Sequence, residues 1–191
     1  ELDVVVVGIT GSNGKTTTKD FTASVIRQRY QVHATRGNLN NHIGLPLTLL
    51  EADDDDDVLV LEMGMNHPGE IAPLCEIAQP QIGIITNIGH AHIEFMGSRE
   101  AIAEEKGALA RALPEVGTLL LTAGCDFADY FTSRSPARSV SVGNGRGVIR
   151  AEALHSTKMG SEFDLVIDEE KSSQVQLGVS GRHMVNNALL A

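Results

Sequence analysis

The stretch Thr10-Gly11-Ser12-Asn13-Gly14-Lys15-Thr16-Thr17 directly follows the mainly apolar run 2–9 and limits the possible folds more than any other segment. An apolar strand that breaks into a glycine-rich turn and then opens a helix makes a cradle for phosphate. Glycines let backbone N–H groups point inward at the anion, and the helix N-terminus adds partial positive charge. In such a cradle Gly11, Ser12, Asn13, Gly14 and Thr17 surround the phosphates. Lys15 reaches the β- and γ-phosphates, and the Thr16 hydroxyl ligates Mg²⁺. The spacing departs from the usual G-x-x-x-x-G-K-[ST]. Ile9 stands at the first glycine position, Gly8 lies one place early, and Gly11 gives the tighter G-x-x-G-K-T-T. An ordinary turn before a helix would account for the glycines. It would not account for the glycines, the lysine, the paired threonines and the preceding strand together.

A chain of 191 residues has room for one sizeable α/β domain, with or without a small appendage. Apolar residues at 42% and charged residues at 21% fit a globular chain rather than a disordered one. No apolar run approaches the roughly 20 residues that span a bilayer, and no basic segment followed by an apolar core marks a signal peptide. Membrane insertion is therefore not expected. Cys75 and Cys125 match no metal or redox spacing and read as reduced thiols of a cytosolic protein. The net charge of −10 argues against a nucleic-acid partner, because phosphate backbones need clustered Lys and Arg. The acidic run 53–57 reads as a solvated loop marking a helix-to-strand connection, since consecutive aspartates repel and point in different directions.

The first part of the chain alternates strand and helix. Strands are expected over 2–9, 58–63, 82–86 and 118–121, and helices over about 15–29, 45–51, 68–78 and 98–113. In the first helix Phe21, Val25 and Ile26 are the expected inward residues. Pro46 and Pro68 suit first helical turns, and Ser98 with Glu100 reads as a cap. The pattern predicts an α/β fold, a doubly wound, mainly parallel sheet of the P-loop NTPase type, over about 1–137. From about Arg138 short segments over 139–142, 148–154, 162–167 and 175–179 predict a small, partly antiparallel β appendage (about 138–180). A closing helix begins at about His183, and the apolar end 188–191 suggests a piece of something longer.

Beyond the loop, Glu62 follows an apolar strand. Ligands of an open α/β sheet gather past the carboxyl ends of its strands, so an acid there is placed to ligate Mg²⁺ directly or through water. The segment Thr86-Asn87-Ile88-Gly89-His90-Ala91-His92 leaves the next strand toward the same crevice. Two histidines two apart are a weak metal signature, and His90 reads equally well as a structural residue. No kinase loop, Ser-His-Asp set or redox dithiol is present. The residues alone lead to ATP- or GTP-dependent, Mg²⁺-assisted phosphoryl chemistry and no further.

The loop 10–17, the segment Gly37-Asn38-Leu39-Asn40-Asn41-His42-Ile43-Gly44-Leu45-Pro46, and Glu62-Met63-Gly64-Met65-Asn66-His67-Pro68-Gly69-Glu70-Ile71 together resemble the central ATP-binding domain of the Mur ligases of bacterial cell-wall synthesis. The likeness continues through 86–92, Gly97-Ser98, Lys106-Gly107 and Ser180-Gly181-Arg182-His183, and so covers essentially the whole chain. It implies a bacterial, cytoplasmic, monomeric enzyme of peptidoglycan precursor synthesis that uses ATP and two Mg²⁺ ions. Its most similar segments imply the member that joins D-alanyl-D-alanine to UDP-N-acetylmuramoyl-tripeptide through an acyl phosphate. Other acid–amino-acid ligases of the superfamily (diaminopimelate- or lysine-adding, or folylpolyglutamate synthase) and a non-catalytic nucleotide-binding module are the alternatives.

By the same resemblance Lys15, Glu62, His92 and Lys106 are catalytic, with Thr16 and Glu62 on the first metal and His92 on the second. Lys106 corresponds to a carbamylated lysine, and Asn87 and Asn187 to adenine contacts. The chain departs from its relatives at Ala108, often an acid there, and at Met184, commonly an asparagine. The family's N-terminal UDP-substrate domain and C-terminal amine-substrate domain are expected to lie outside these 191 residues, leaving the isolated chain with little catalysis.

Overall fold

A computed structural model describes residues 4–91 and 93–191. Residues 1–3, where the first strand is expected to begin, and His92, the expected second-metal ligand, lie outside the described residues. One nine-stranded sheet runs through the molecule in the order β2-β3-β1-β4-β5-β6-β7-β8-β9. The first strand, β1 (Val5–Thr10), lies between β3 (Val58–Glu62) and β4 (Ile82–Ile85) and is parallel to both. The chain goes from β1 to β2 (Val32–Ala34) and β3 on one side, then returns to β4 on the other. Its topological switch point therefore lies at β1, where an open α/β sheet forms its ligand crevice.

The β3 side chains alternate between two cores. Leu59 and Leu61 enter one with Leu74, Ile102 and Leu109, while Val58 and Val60 enter the other with Ala23 and Val185. Full burial on both faces is what an almost uninterrupted apolar strand demands. The first core is covered by α2 (Gly44–Leu50), α3 (Ile71–Ala78), α5 (Arg99–Ala112) and α6 (Ala128–Thr132). The second is covered by α1 (Lys15–Ile26) and α7 (Arg182–Leu190). This is the doubly wound, mainly parallel arrangement expected. Among the described residues no helix is long and apolar enough to cross a membrane.

The expected partly antiparallel C-terminal β part is present and joins the main sheet: β5 (Thr118–Thr122) pairs in parallel with β6 (Arg138–Asn144), and β6 with β7 (Ile149–Ser156). Only the pairings of β7 with β8 (Ser161–Ile167) and of β8 with β9 (Glu170–Leu177) are antiparallel. Several expected element bounds are corrected. The last strand starts at Glu170 rather than Val175, because the polar residues 170–174 form a solvated edge that hydropathy does not mark. Helix α1 buries Thr18, Lys19, Thr22 and Ala23, while Val25 is exposed and Phe21 half-buried. Short side chains on that face let the helix approach the sheet closely.

Helix α3 begins at Ile71, not Pro68. The Glu105 carboxylate of α5 accepts from the N–H groups of Gly69 and Ile71 at 2.7 and 2.8 Å, and Glu70 accepts from those of Asn66 and His67. Together these bonds hold the preceding residues out of the helix. Sequence periodicity did not reveal β2, α4 (Ile93–Met96) or α6, each five residues or fewer. The acidic run does form the connection between α2 and β3. Asp56 accepts from the Asp53 N–H, and Asp57 from the Gln31 N–H.

Ser98 caps α5 as expected, its hydroxyl accepting from the Ala101 N–H at 3.1 Å. Ser98→Ala is expected to lower unfolding free energy by about 1 kcal/mol, read from urea denaturation. Because α5 carries Lys106 and Glu105, a loss near zero would show that tertiary packing alone holds the start of this helix.

Candidate functional site

The turn between β1 and α1 has the backbone that a phosphate cradle needs. Gly11 has φ 148° and Gly14 φ 81°, conformations that L side chains rarely adopt. Space enforces the same choice: a Cβ on Gly11 would lie 1.9 Å from Thr86 Oγ1, and one on Gly14 would lie 2.7 Å from Asn187 Oδ1. The segment after β4 is tied to this turn. The Asn87 carbonyl accepts from the Ser12 N–H at 3.0 Å, and its side-chain Oδ1 accepts from the Asn13 N–H at 3.1 Å. Thr86 Oγ1 and Asn87 Nδ2 both donate to the Asn13 carbonyl, and Ser12 Oγ accepts from the Gly89 N–H.

Lys15 opens α1, and its Nζ donates to the Gly11 carbonyl at 3.0 Å, folding back over the turn. Burial pulls its pKa below the ordinary lysine value, and the nearby Glu62 carboxylate opposes that shift. Thr16 Oγ1 donates to Glu62 Oε2 at 2.8 Å. Glu62 ends β3 and is 3% exposed; its other oxygen accepts from Asn40 Nδ2, also at 2.8 Å, and its N–H donates to Thr35 Oγ1. The sheet thus brings the expected metal pair Thr16 and Glu62 into contact from residues 46 apart.

This pair fits Mg²⁺. Both groups offer hard oxygen donors, and octahedral bonds of 2.0–2.1 Å place neighbouring ligands about 2.9 Å apart, close to the separation of Thr16 Oγ1 and Glu62 Oε2. Mg²⁺ commonly takes one or two carboxylates and completes its shell with water and substrate phosphates.

Lys106 is 1% exposed in the middle of α5. Burial, helped by the nearby Lys15 charge and opposed by Glu105, lowers its pKa to about 7. A lysine on a solvated helix face would keep its proton, whereas burial favours the neutral amine here. Asn187 is buried on α7 with its amide against Gly14, next to the cradle. Asn87 lies at the cradle too, with its side-chain amide bonded to the Asn13 backbone. His90 is exposed in the turn after β4.

Motif reasoning missed Thr35, Asn40, Lys19 and Glu105. Lys19 is 5% exposed and donates to the Thr35 carbonyl at 2.9 Å. Asn40 lies within the asparagine-rich segment already singled out, but nothing in spacing tells which of its asparagines turns toward Glu62.

The family pattern described as Mur ligase middle domain matches residues 9–191. The UDP-N-acetylmuramoyl-tripeptide–D-alanyl-D-alanine ligase of Bacillus subtilis is 52% identical over 120 residues, covering 63% of this chain and 26% of that protein. A crystal structure of MurF from Acinetobacter baumannii superposes with a TM-score of 0.93 at 34% identity, over 98% of this chain and 41% of that one. MurF from Thermotoga maritima, crystallised in complex with ADP, gives a TM-score of 0.89 at 29% identity, over 99% of this chain and 44% of that one. The chain thus spans less than half the length of each of these relatives.

Proposed function

Because the chain belongs to the Mur ligase middle-domain family, we propose that it is the ATP-binding unit of an enzyme that joins D-alanyl-D-alanine to UDP-N-acetylmuramoyl-tripeptide. The observation that carries this reading is the meeting of the glycine-rich turn with the Thr16–Glu62 pair, with buried Lys106 near enough to feel the Lys15 charge. The ligases of that name among its relatives, and the ADP complex of one of them, support it. In the reaction the tripeptide carboxylate takes the γ-phosphoryl group of ATP. The amine of the dipeptide then attacks the acyl phosphate, forming the amide and releasing phosphate. Mg²⁺, when bound, neutralises the phosphate oxygens and the charge that develops during transfer.

The chain's own residues then have distinct tasks. Backbone N–H groups of the turn and the start of α1 hold the anionic phosphates. Lys15, already partly desolvated, leaves the Gly11 carbonyl and places its ammonium on the terminal phosphates. Thr16 and Glu62 supply metal ligands. Asn87 fixes the turn and, with Asn187 beside Gly14, borders the space for the nucleoside. Lys106 holds a neutral amine able to take up CO₂ as a carbamate, bringing negative charge to the site without a carboxylate side chain. The UDP-substrate and amine-substrate domains belong to the longer protein, and the protein acts as a monomer in the bacterial cytoplasm.

The test is an assay of the full-length protein with ATP, UDP-N-acetylmuramoyl-tripeptide and a panel of amine donors. Phosphate release coupled to amide formation is expected with D-alanyl-D-alanine and not with diaminopimelate or lysine. Activity with a diamino acid alone would move the protein to another ligase of the family. ATP hydrolysis indifferent to every carboxylate and amine would favour a nucleotide-binding module.

A further inference from the structure

We propose that Asn40 is a positioning residue for the metal-binding carboxylate of Glu62, an inference that rests on the nucleotide–Mg²⁺ reading above. The carboxylate has one side-chain donor on each oxygen, Thr16 Oγ1 on Oε2 and Asn40 Nδ2 on Oε1. A glutamate carboxylate turns freely about its last torsion. For Oε2 and the Thr16 oxygen to ligate one cation together, the Thr16 hydrogen bond must give way. At that moment only the Asn40 bond, which involves the other oxygen, still fixes the carboxylate plane. The amide is suited to this task because it is neutral. A lysine or arginine in its place would also orient Glu62 but would cancel part of the charge offered to the cation. The orientation of the amide follows from its partner, since only the nitrogen can donate to a carboxylate oxygen.

Asn40 is itself braced from several sides. Its carbonyl accepts from the Gly64 N–H at 2.8 Å. At the other end of the same loop the Thr35 carbonyl accepts from buried Lys19, and the Thr35 hydroxyl accepts from the N–H of Glu62. The loop from 35 to 40 is therefore pinned at both ends to the terminus of β3, with the Asn40 amide held over Glu62. Gly64 leaves the room this requires: a Cβ there would lie 2.8 Å from Asn40 Cγ and Oδ1 and 2.9 Å from Nδ2.

This gives two independent ways of removing the contact. Asn40→Ala deletes the donor, while Gly64→Ala keeps Asn40 and Glu62 but pushes the amide away. The measurement is Mn²⁺ binding to the full-length protein saturated with the β,γ-imido analogue of ATP, followed by electron paramagnetic resonance of free Mn²⁺. Asn40→Ala is expected to weaken Mn²⁺ binding roughly 10–100-fold and to leave affinity for the analogue without metal unchanged. Gly64→Ala should shift Mn²⁺ binding in the same direction. The double variant should be no worse than Asn40→Ala alone, because deleting the amide also deletes the clash.

Unchanged Mn²⁺ affinity in Asn40→Ala, or additive losses in the double variant, would overturn the positioning role. If Asn40→Ala fails to fold, normal Mn²⁺ affinity in Gly64→Ala overturns it equally. A wild-type protein that binds neither the analogue nor Mn²⁺ in its presence would instead overturn the nucleotide reading itself.

Discussion

Lys15→Ala in the full-length protein is expected to lower ATP-dependent ligation by on the order of 10³-fold and to weaken triphosphate binding, while the fold stays intact. The side chain is not part of either core. Its Nζ contacts the Gly11 carbonyl, and its ammonium sits partly desolvated beside Glu62. Deleting it removes a charge poised for the phosphates without opening a cavity between helix and sheet. Lys15→Arg should restore little, because a planar guanidinium cannot take the place of a compact ammonium in a turn built around glycines. Steady-state phosphate release and equilibrium binding of the imido analogue provide the readouts, with circular dichroism reporting the fold. Turnover at the wild-type rate in the alanine variant would remove the assignment of this turn.

The strand–turn–helix that carries Lys15 and Thr16 could be read from sequence because its parts are contiguous. Ser98 was legible for the same reason, since a cap needs only the N–H three residues ahead. Glu62 could be placed at a strand end, and the parallel β1–β3 register, Ile9 opposite Glu62, brings it to the turn. What stayed hidden depends on contacts between distant segments. The start of α3 is set by Glu105, 34 residues beyond Ile71, which overrides a proline well suited to a first turn. Asn40 meets Glu62 only because the loop after β2 folds over the end of β3, and β2 itself is a three-residue edge strand with no periodicity to detect. The inward face of α1 was misjudged because hydropathy selects Phe21 and Val25. Close packing there selects threonine and alanine, and Lys19 is buried by the bond it makes to Thr35.

Lys106→Met is expected to stabilise the protein and to abolish its ligation, two effects that a purely structural lysine would not combine. The sign follows from the proton. Unfolded, the amine titrates near its ordinary value of 10.5; folded, it titrates at about 7. Between these values the unfolded chain holds a proton that the folded chain has released, so stability falls as pH drops through this window and levels off below about 7. Methionine carries no such penalty. The stability advantage of Lys106→Met should therefore vanish above the ordinary lysine pKa, grow by up to about 1.4 kcal/mol per pH unit as pH falls, and be largest in neutral and acid solution. Urea denaturation of both proteins at a series of pH values measures it. A pH-independent difference would mean that Lys106 keeps its proton in the fold.

The same depressed pKa supplies the chemical requirement for a carbamate. In that reaction the neutral Nζ lone pair would form a bond to the carbon of CO₂, and the amine proton would pass to solvent. A fully protonated lysine has no lone pair to offer. Lys106→Ala should consequently lose most of the ligase activity, and added formate or acetate should restore part of it by placing a carboxylate in the vacated space. Full activity of Lys106→Ala without additive would rule out the carbamate. Loss of activity that neither carboxylate relieves would point instead to the ammonium form as the working group. In that case the pH–rate profile of the wild-type enzyme would fall, rather than rise, through pH 7.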